Sequence, residues 1–268
     1  MISATQPFTG PGGYRVYSWH GVLYPSVTTV IRGGPQTAAP AGWAARAAAE
    51  YAVANLGRLA RLPAAEATAE IEQAARARWG GTAGIGSLVH AAVEAHATGR
   101  PRPELPAEAV PLLAGFDRFL ADHAPRFLLA EQAVYSRRHG YAGTLDFIAE
   151  IPGGQAVTLV DVKTGKNVYP QTALQLAAYA HADFAGAPDG TEHPLPAIQA
   201  TAVLHLRPNG YQLIPVLSGP PVFDAFLAAL ALFRWTTGQA PAILAGEDDA
   251  EGRGPGTTHP ISSEPASP

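Results

Sequence analysis

The sequence predicts an α/β fold with a mixed central β-sheet, helices on both of its faces and an additional N-terminal helical part. Three observations carry that prediction. Apolar, β-branched runs at residues 143–151 and 156–162 flank Pro152-Gly153-Gly154, as the strands of a β-hairpin do. A second pair of such runs, 198–206 and 211–217, flanks Pro208-Asn209-Gly210. Stretches with apolar residues at helical spacing lie around both pairs. The order helix, three strands, helix, two strands, helix needs helices packed on a mixed sheet.

With 268 residues, 47 % of them hydrophobic, the chain can bury a substantial core. A hairpin and helical part is expected over 1–80, the core over 81–245, and a disordered tail rich in Pro, Ser, Gly and acidic residues over 246–268. The absence of cysteine excludes disulfides, thiolate zinc sites and an iron–sulfur cluster held by cysteines. No apolar run reaches the ~20 residues that cross a membrane, and Met1-Ile2-Ser3-Ala4-Thr5 does not open a signal peptide. A cytoplasmic location without a membrane partner is therefore expected. The formal charge of −4 lends no compositional support to nucleic-acid binding, which uses Lys and Arg. Most of that charge is in the tail, where Glu247, Asp248, Asp249, Glu251 and Glu264 face a single Arg253.

Taken in order, residues 14–23 alternate and turn at His20-Gly21 like a short hairpin. Ser26 then caps a helix, and with the Thr28 and Thr29 hydroxyls it forms either a phosphate cradle or an ordinary helix start. Two Ala-rich surface helices are expected over 40–56 and 63–79. Their Arg46, Arg58, Arg61, Arg76 and Arg78 either track a phosphate backbone or form a solvated face. Residues 82–98 make another helix, ended by Gly99, that carries His90 and Glu94 one turn apart. His90 is either a metal ligand or a core histidine, and Glu94 is placed to orient its ring. A helix over 106–123 leads to a strand over 127–138 with Glu131, Ala133 and Tyr135 on one face. Glu131 either joins a metal site or pairs with Arg137 or Arg138. Pro170 opens a helix on which Gln171, Gln175 and Tyr179 form a polar face. Residues 185–196 read as a Pro/Gly loop and 221–235 as the last helix.

The chemistry concentrates between Tyr141 and Tyr179. A Gly153-Gly154 turn puts Asp146 directly across from Asp161, with roughly 4.5–5.5 Å between their Cβ atoms, an arrangement that repels and calls for a cation. Lys163 points to the same face because side chains alternate along a strand. Lys163 and Lys166 are the only lysines among 18 basic residues. Retaining Lys here suits chemistry for which a tunable ammonium is needed rather than the fixed fork of Arg. Hard divalent cations suit two converging carboxylates, so a Mg²⁺ or Mn²⁺ site is expected.

Gly143-Thr144-Leu145-Asp146, Asp161-Val162-Lys163 and Gln175-Leu176-Ala177-Ala178-Tyr179 resemble, in that order, the motifs of the PD-(D/E)XK nuclease superfamily, specifically its RecB-like exonuclease branch. Upstream, Gly86-Ser87-Leu88-Val89-His90 resembles that branch's helical histidine motif, and Glu131 stands where the family often has a strand glutamate. The first acidic motif reads Leu145-Asp146 in place of Pro-Asp. The resemblance spans about Gly84 to Tyr179, with a weaker match around Tyr24 to Val30. It implies a restriction-endonuclease-like core, with Mg²⁺ or Mn²⁺ held by His90, Asp146, Asp161, the Val162 carbonyl and Glu131. Lys163 then assists the attacking water, while Gln175 and Tyr179 wall the site. Gln175 is placed to hold a water or a phosphate oxygen, and the Tyr179 ring to stack on a base. The implied activity is DNA hydrolysis, as an exonuclease of phage or bacterial recombination or repair, with a single-strand annealing protein as a possible partner. Lack of cysteine places the chain with the cluster-free members of the branch. A related endonuclease or junction-cleaving enzyme, and a non-catalytic nucleic-acid-binding scaffold, are the rival readings. Neither the residues nor the resemblance indicates an oligomeric state.

Overall fold

A computed structural model describes residues 6–10, 12–33, 41–152, 156–208 and 210–239. The Gly153-Gly154 turn, Asn209, the acidic tail and the side chains of Arg76 and Arg78 lie outside what is described. In chain order the elements are β1 (Phe8–Thr9), β2 (Arg15–Trp19), β3 (Val22–Pro25), α1 (Val27–Arg32), α2 (Ala41–Ala54), α3 (Leu56–Leu59) and α4 (Ala64–Ala97). They continue with α5 (Val110–His123), β4 (Arg126–Ser136), β5 (Tyr141–Ile151), β6 (Ala156–Lys163), α6 (Gln171–Ala180), β7 (Phe184–Gly186) and β8 (Glu192–His193). The last are β9 (Ala200–Arg207), β10 (Gly210–Pro215) and α7 (Pro220–Arg234), which ends in a π-type turn (Trp235–Gln239).

The protein is α/β, as expected, with a central mixed sheet ordered β10-β9-β6-β5-β4-β7-β8. Only β6 and β9 run parallel, which requires a crossover, and α6 lies within it. One face of the sheet buries Leu145, Leu159 and Val203 against Leu176, Phe226 and Leu230 of α6 and α7. The other buries Phe147, Val160 and Leu204 against Val89 and Val93 of α4 and Phe116 and Phe119 of α5. β1, β2 and β3 form a separate small sheet. It packs Tyr17, Trp19 and Tyr24 against Tyr135 and Phe184, so an aromatic cluster ties the N-terminal hairpin to the end of the central sheet. Among the described residues no helix is long and apolar enough to cross a membrane.

Three expectations are corrected. Residues 185–196 are not a plain loop: β7 and β8 add two short edge strands, paired at Tyr135↔Phe184 and Ala185↔His193. Strands of three and two residues leave no alternation to read. The helices expected over 63–79 and 82–98 are one 34-residue helix. Gly80 and Gly81 cost helix propensity but do not break the backbone hydrogen bonds as proline would. Finally, α5 begins at Val110 rather than near Pro106, because residues 106–109 form a turn.

Candidate metal centre

The β5–β6 ladder runs from Ile151↔Ala156 to Phe147↔Val160, the register expected from a Gly153-Gly154 turn. It stops one pair short of Asp146 and Asp161. Beyond that point the Val162 N–H donates to Asp146 Oδ2 at 2.5 Å, so a side-chain carboxylate replaces the ladder carbonyl and the strands part. β6 continues alone along β9 as far as Lys163↔His205. The opening between β5 and β6 is the cleft.

On the other side of β5 the ladder with β4 pairs Ala130↔Phe147 and Gln132↔Leu145 but skips Glu131. Glu131 has φ 46°, a left-handed conformation that is rare for a non-glycine residue in a strand. Its carboxylate is turned toward α4, with Oε1 3.9 Å from His90 Nδ1. The alternative pairing with Arg137 or Arg138 does not form: Arg137 pairs with Glu192, and the Arg138 N–H donates to Asp183. His90 Nδ1 also lies 3.2 Å from Asp146 Oδ1. Ligand atoms of His90, Glu131 and Asp146 all lie within 4.8 Å of one another.

Asp161, 2 % exposed, completes the other wall. Its Oδ1 accepts from Gln175 Nε2 at 2.8 Å, and its Oδ2 is 2.5 Å from Lys163 Nζ. That second contact has the distance of an ion pair without the angles of a hydrogen bond, leaving Oδ2 buried and without a hydrogen-bonding partner. A buried, unsatisfied carboxylate oxygen beside a His-Glu-Asp cluster is the donor set that a hard divalent cation takes. His90, Glu131, Asp146 and Asp161 therefore fit the Mg²⁺ or Mn²⁺ expectation. Val162 reaches the site through its N–H.

Charge shapes each group. The Asp146 carboxylate attracts the His90 proton and, with hydrogen bonding, outweighs burial, so the imidazole is pushed up to about 10. Burial favours protonated Asp146, but His90, Lys163 and the Val162 N–H hold it below the usual carboxylate range. Burial and the Asp146 charge raise Asp161 to about 6 in spite of Lys163. Burial likewise raises Glu131. Burial alone would lower the Lys163 ammonium, yet Asp161 and Asp146 raise it above its ordinary value.

Two expectations about supporting residues change. Glu94 lines the cleft but pairs with Arg100, so the imidazole is oriented by Asp146 and Glu131 instead. Tyr179 is 3 % exposed, with its hydroxyl 3.5 Å from Gln175 Nε2, and its ring is not available to stack on a base. Gly143 explains the burial: a Cβ there would lie 2.4 Å from Tyr179 Cε1. Gly86 similarly admits Thr164, whose Oγ1 would lie 3.1 Å from an added Cβ.

The cleft encloses about 530 Å³ and is also lined by Arg15, Tyr17, Ser26, Thr28, Ser87 and Thr144. Arg15 Nη2 donates to the Tyr17 hydroxyl, which is 2.9 Å from Thr144 Oγ1. Nothing near Arg15 or Tyr17 in the chain marks them, since Tyr17 and Thr144 are 127 positions apart. Ser26 occupies the N-cap position of α1, but its hydroxyl bonds Thr28 Oγ1 instead of capping the helix. Of the helical arginines, Arg46 pairs with Glu50 and Arg58 with Glu70, as on a solvated face. No protein-family model matches the chain, and no curated protein matches it significantly.

Proposed function

We propose that this chain is a metal-dependent deoxyribonuclease with a restriction-endonuclease-like core, of the RecB-like branch, acting as an exonuclease in DNA recombination or repair. The observation that supports it most is the convergence of His90, Glu131, Asp146, Asp161 and Lys163 in one open cleft, where β5 and β6 part. Phosphodiester hydrolysis needs an activated water, neutralisation of charge on the phosphorus oxygens and help for the leaving oxygen, and bound Mg²⁺ or Mn²⁺ supplies all three. The chain's own groups supply the rest. Asp161, anchored by Gln175, holds the Lys163 ammonium at the cleft wall, where it orients a water or accepts a phosphate oxygen. Arg15, with no carboxylate among its hydrogen bonds to the cleft, brings a second cation to the substrate phosphates.

The test is cleavage of end-labelled linear and circular duplex DNA with Mg²⁺, Mn²⁺ or EDTA. Loss of the linear form only, and only with metal, is the expected result. Rapid nicking of the circle would select the endonuclease reading. Silence with every metal and nucleic acid would leave a binding scaffold.

A further inference from the structure

We infer that His205 is a positioning residue for Lys163, a strap that ties the chain leaving the active-site strand to the sheet. The catalytic half of this inference rests on the nuclease reading, while the mechanical half does not. Asp161, Val162 and Lys163 have lost the β5 ladder, which ends at Val160, and are held from one side by β9. Lys163 is the last residue of that parallel ladder, and its partner is His205. A loop over 164–170 then leads to α6. Within it Gly165, Lys166, Asn167, Tyr169 and Pro170 are all exposed, so little apolar burial orders it.

His205, itself 3 % exposed, places Nε2 2.7 Å from the Gly165 carbonyl oxygen. A carbonyl only accepts, so Nε2 carries the hydrogen. The bond extends the attachment of β6 to β9 two residues past the end of their ladder. On the opposite side Thr164 packs against Gly86 of α4, while Val168 reaches the core. The loop is therefore fastened at its start, next to the residue whose aim matters. Lys163 Nζ meets Asp161 without hydrogen-bond angles, so that contact does not fix its direction. The neighbours Val203, Leu204 and Leu206 are buried apolar residues. An apolar side chain at 205 would fill the strand without needing a partner, so the imidazole is explained by the carbonyl it holds.

The test compares His205→Leu, which removes the donor, with His205→Gln, whose amide Nε2 can take the same bond. Brief native trypsin treatment, read by mass spectrometry as the peptide end created after Lys166, reports loop opening without any substrate. The expected result is about tenfold faster cleavage there in His205→Leu, melting temperatures alike, and wild-type behaviour in His205→Gln. With linear DNA and Mg²⁺, kcat of His205→Leu should fall ~10- to 100-fold with KM little changed, and His205→Gln should restore it. Equal loop cleavage in all three proteins, or His205→Gln opening as fast as His205→Leu, would overturn the strap. If His205→Leu does not fold, His205→Asn, too short to reach Gly165, replaces it in the same comparison. If the wild type cleaves no DNA, the nuclease reading fails while trypsin still decides on the strap.

Discussion

Asp146 and Asp161 look equivalent as a pair of opposed carboxylates, yet their surroundings give them different tasks. Asp146 holds His90 and the Val162 N–H, and these keep it ionised. Asp161 is the strained member, raised to about 6 by burial and by its neighbour's charge. Asp161→Asn should therefore abolish cleavage while leaving metal-free stability within ~1 kcal/mol of wild type, whereas Asp146→Asn should lose cleavage and ~1–3 kcal/mol as well. Urea unfolding in EDTA separates the two, and a larger loss for Asp161→Asn would reverse the assignment. Lys163→Arg keeps the charge but replaces a point donor with a larger, rigid fork. A loss of at least ~100-fold in single-turnover rate, about 2.7 kcal/mol, is expected with DNA affinity little changed. Gly143→Ala should push the Tyr179 ring off β5 and cost ~1–3 kcal/mol by overpacking.

At the scale of elements, the site is made where strands stop behaving as strands. β5 leaves the β6 ladder after Phe147 and skips pairing with β4 at Glu131. The left-handed Glu131 backbone aims its carboxylate at His90, and a non-glycine residue there costs roughly 1–2 kcal/mol. Glycine within a strand is ordinarily less stable than alanine by ~0.5–1 kcal/mol. Here the order should invert, with Glu131→Gly more stable than Glu131→Ala in EDTA and both weakened in Mg²⁺ binding by calorimetry. If alanine proves the more stable, the backbone at 131 is relaxed. The single long α4 has a comparable effect, because it carries His90 to the cleft on the same helix that packs against α2.

At the scale of the molecule, the centre couples fold stability to protons and metal. His90 titrates near 10 in the folded protein against 6.5 ordinarily, so its stabilisation is complete below pH 6.5 and lost as pH rises through 10. Asp161, raised to about 6 from 3.8, acts in the same direction, because the folded state binds more protons between those values. Without metal, stability should decline from about pH 4 to pH 10, and His90→Gln should flatten the upper part of that slope. Divalent ions compete with those protons, so the rise in melting temperature on adding Mg²⁺ should be larger at pH 9 than at pH 6. At one hundred times Kd the ion contributes about 2.7 kcal/mol. A Mg²⁺ effect that shrinks with pH would mean the ion does not use this cluster.

Local information was enough for the hairpin of β5 and β6, for its register, and for the approach of Asp146, Asp161 and Lys163 within it, since a tight turn and a period of two specify all three. It was also enough for α6 and for the β9–β10 hairpin. The short β7 and β8, the continuity of α4 through Gly80-Gly81 and the burial of Tyr179 were decided by packing between distant parts of the chain. So were the turning of Glu131 toward His90, the arrival of Arg15 in the cleft and the grip of His205 on Gly165. The physical division is one of range. Periodicity and turn chemistry act over a few residues, whereas the free energy of filling the space beside Gly143, or of satisfying a buried carboxylate, exists only once the strands and helices have met.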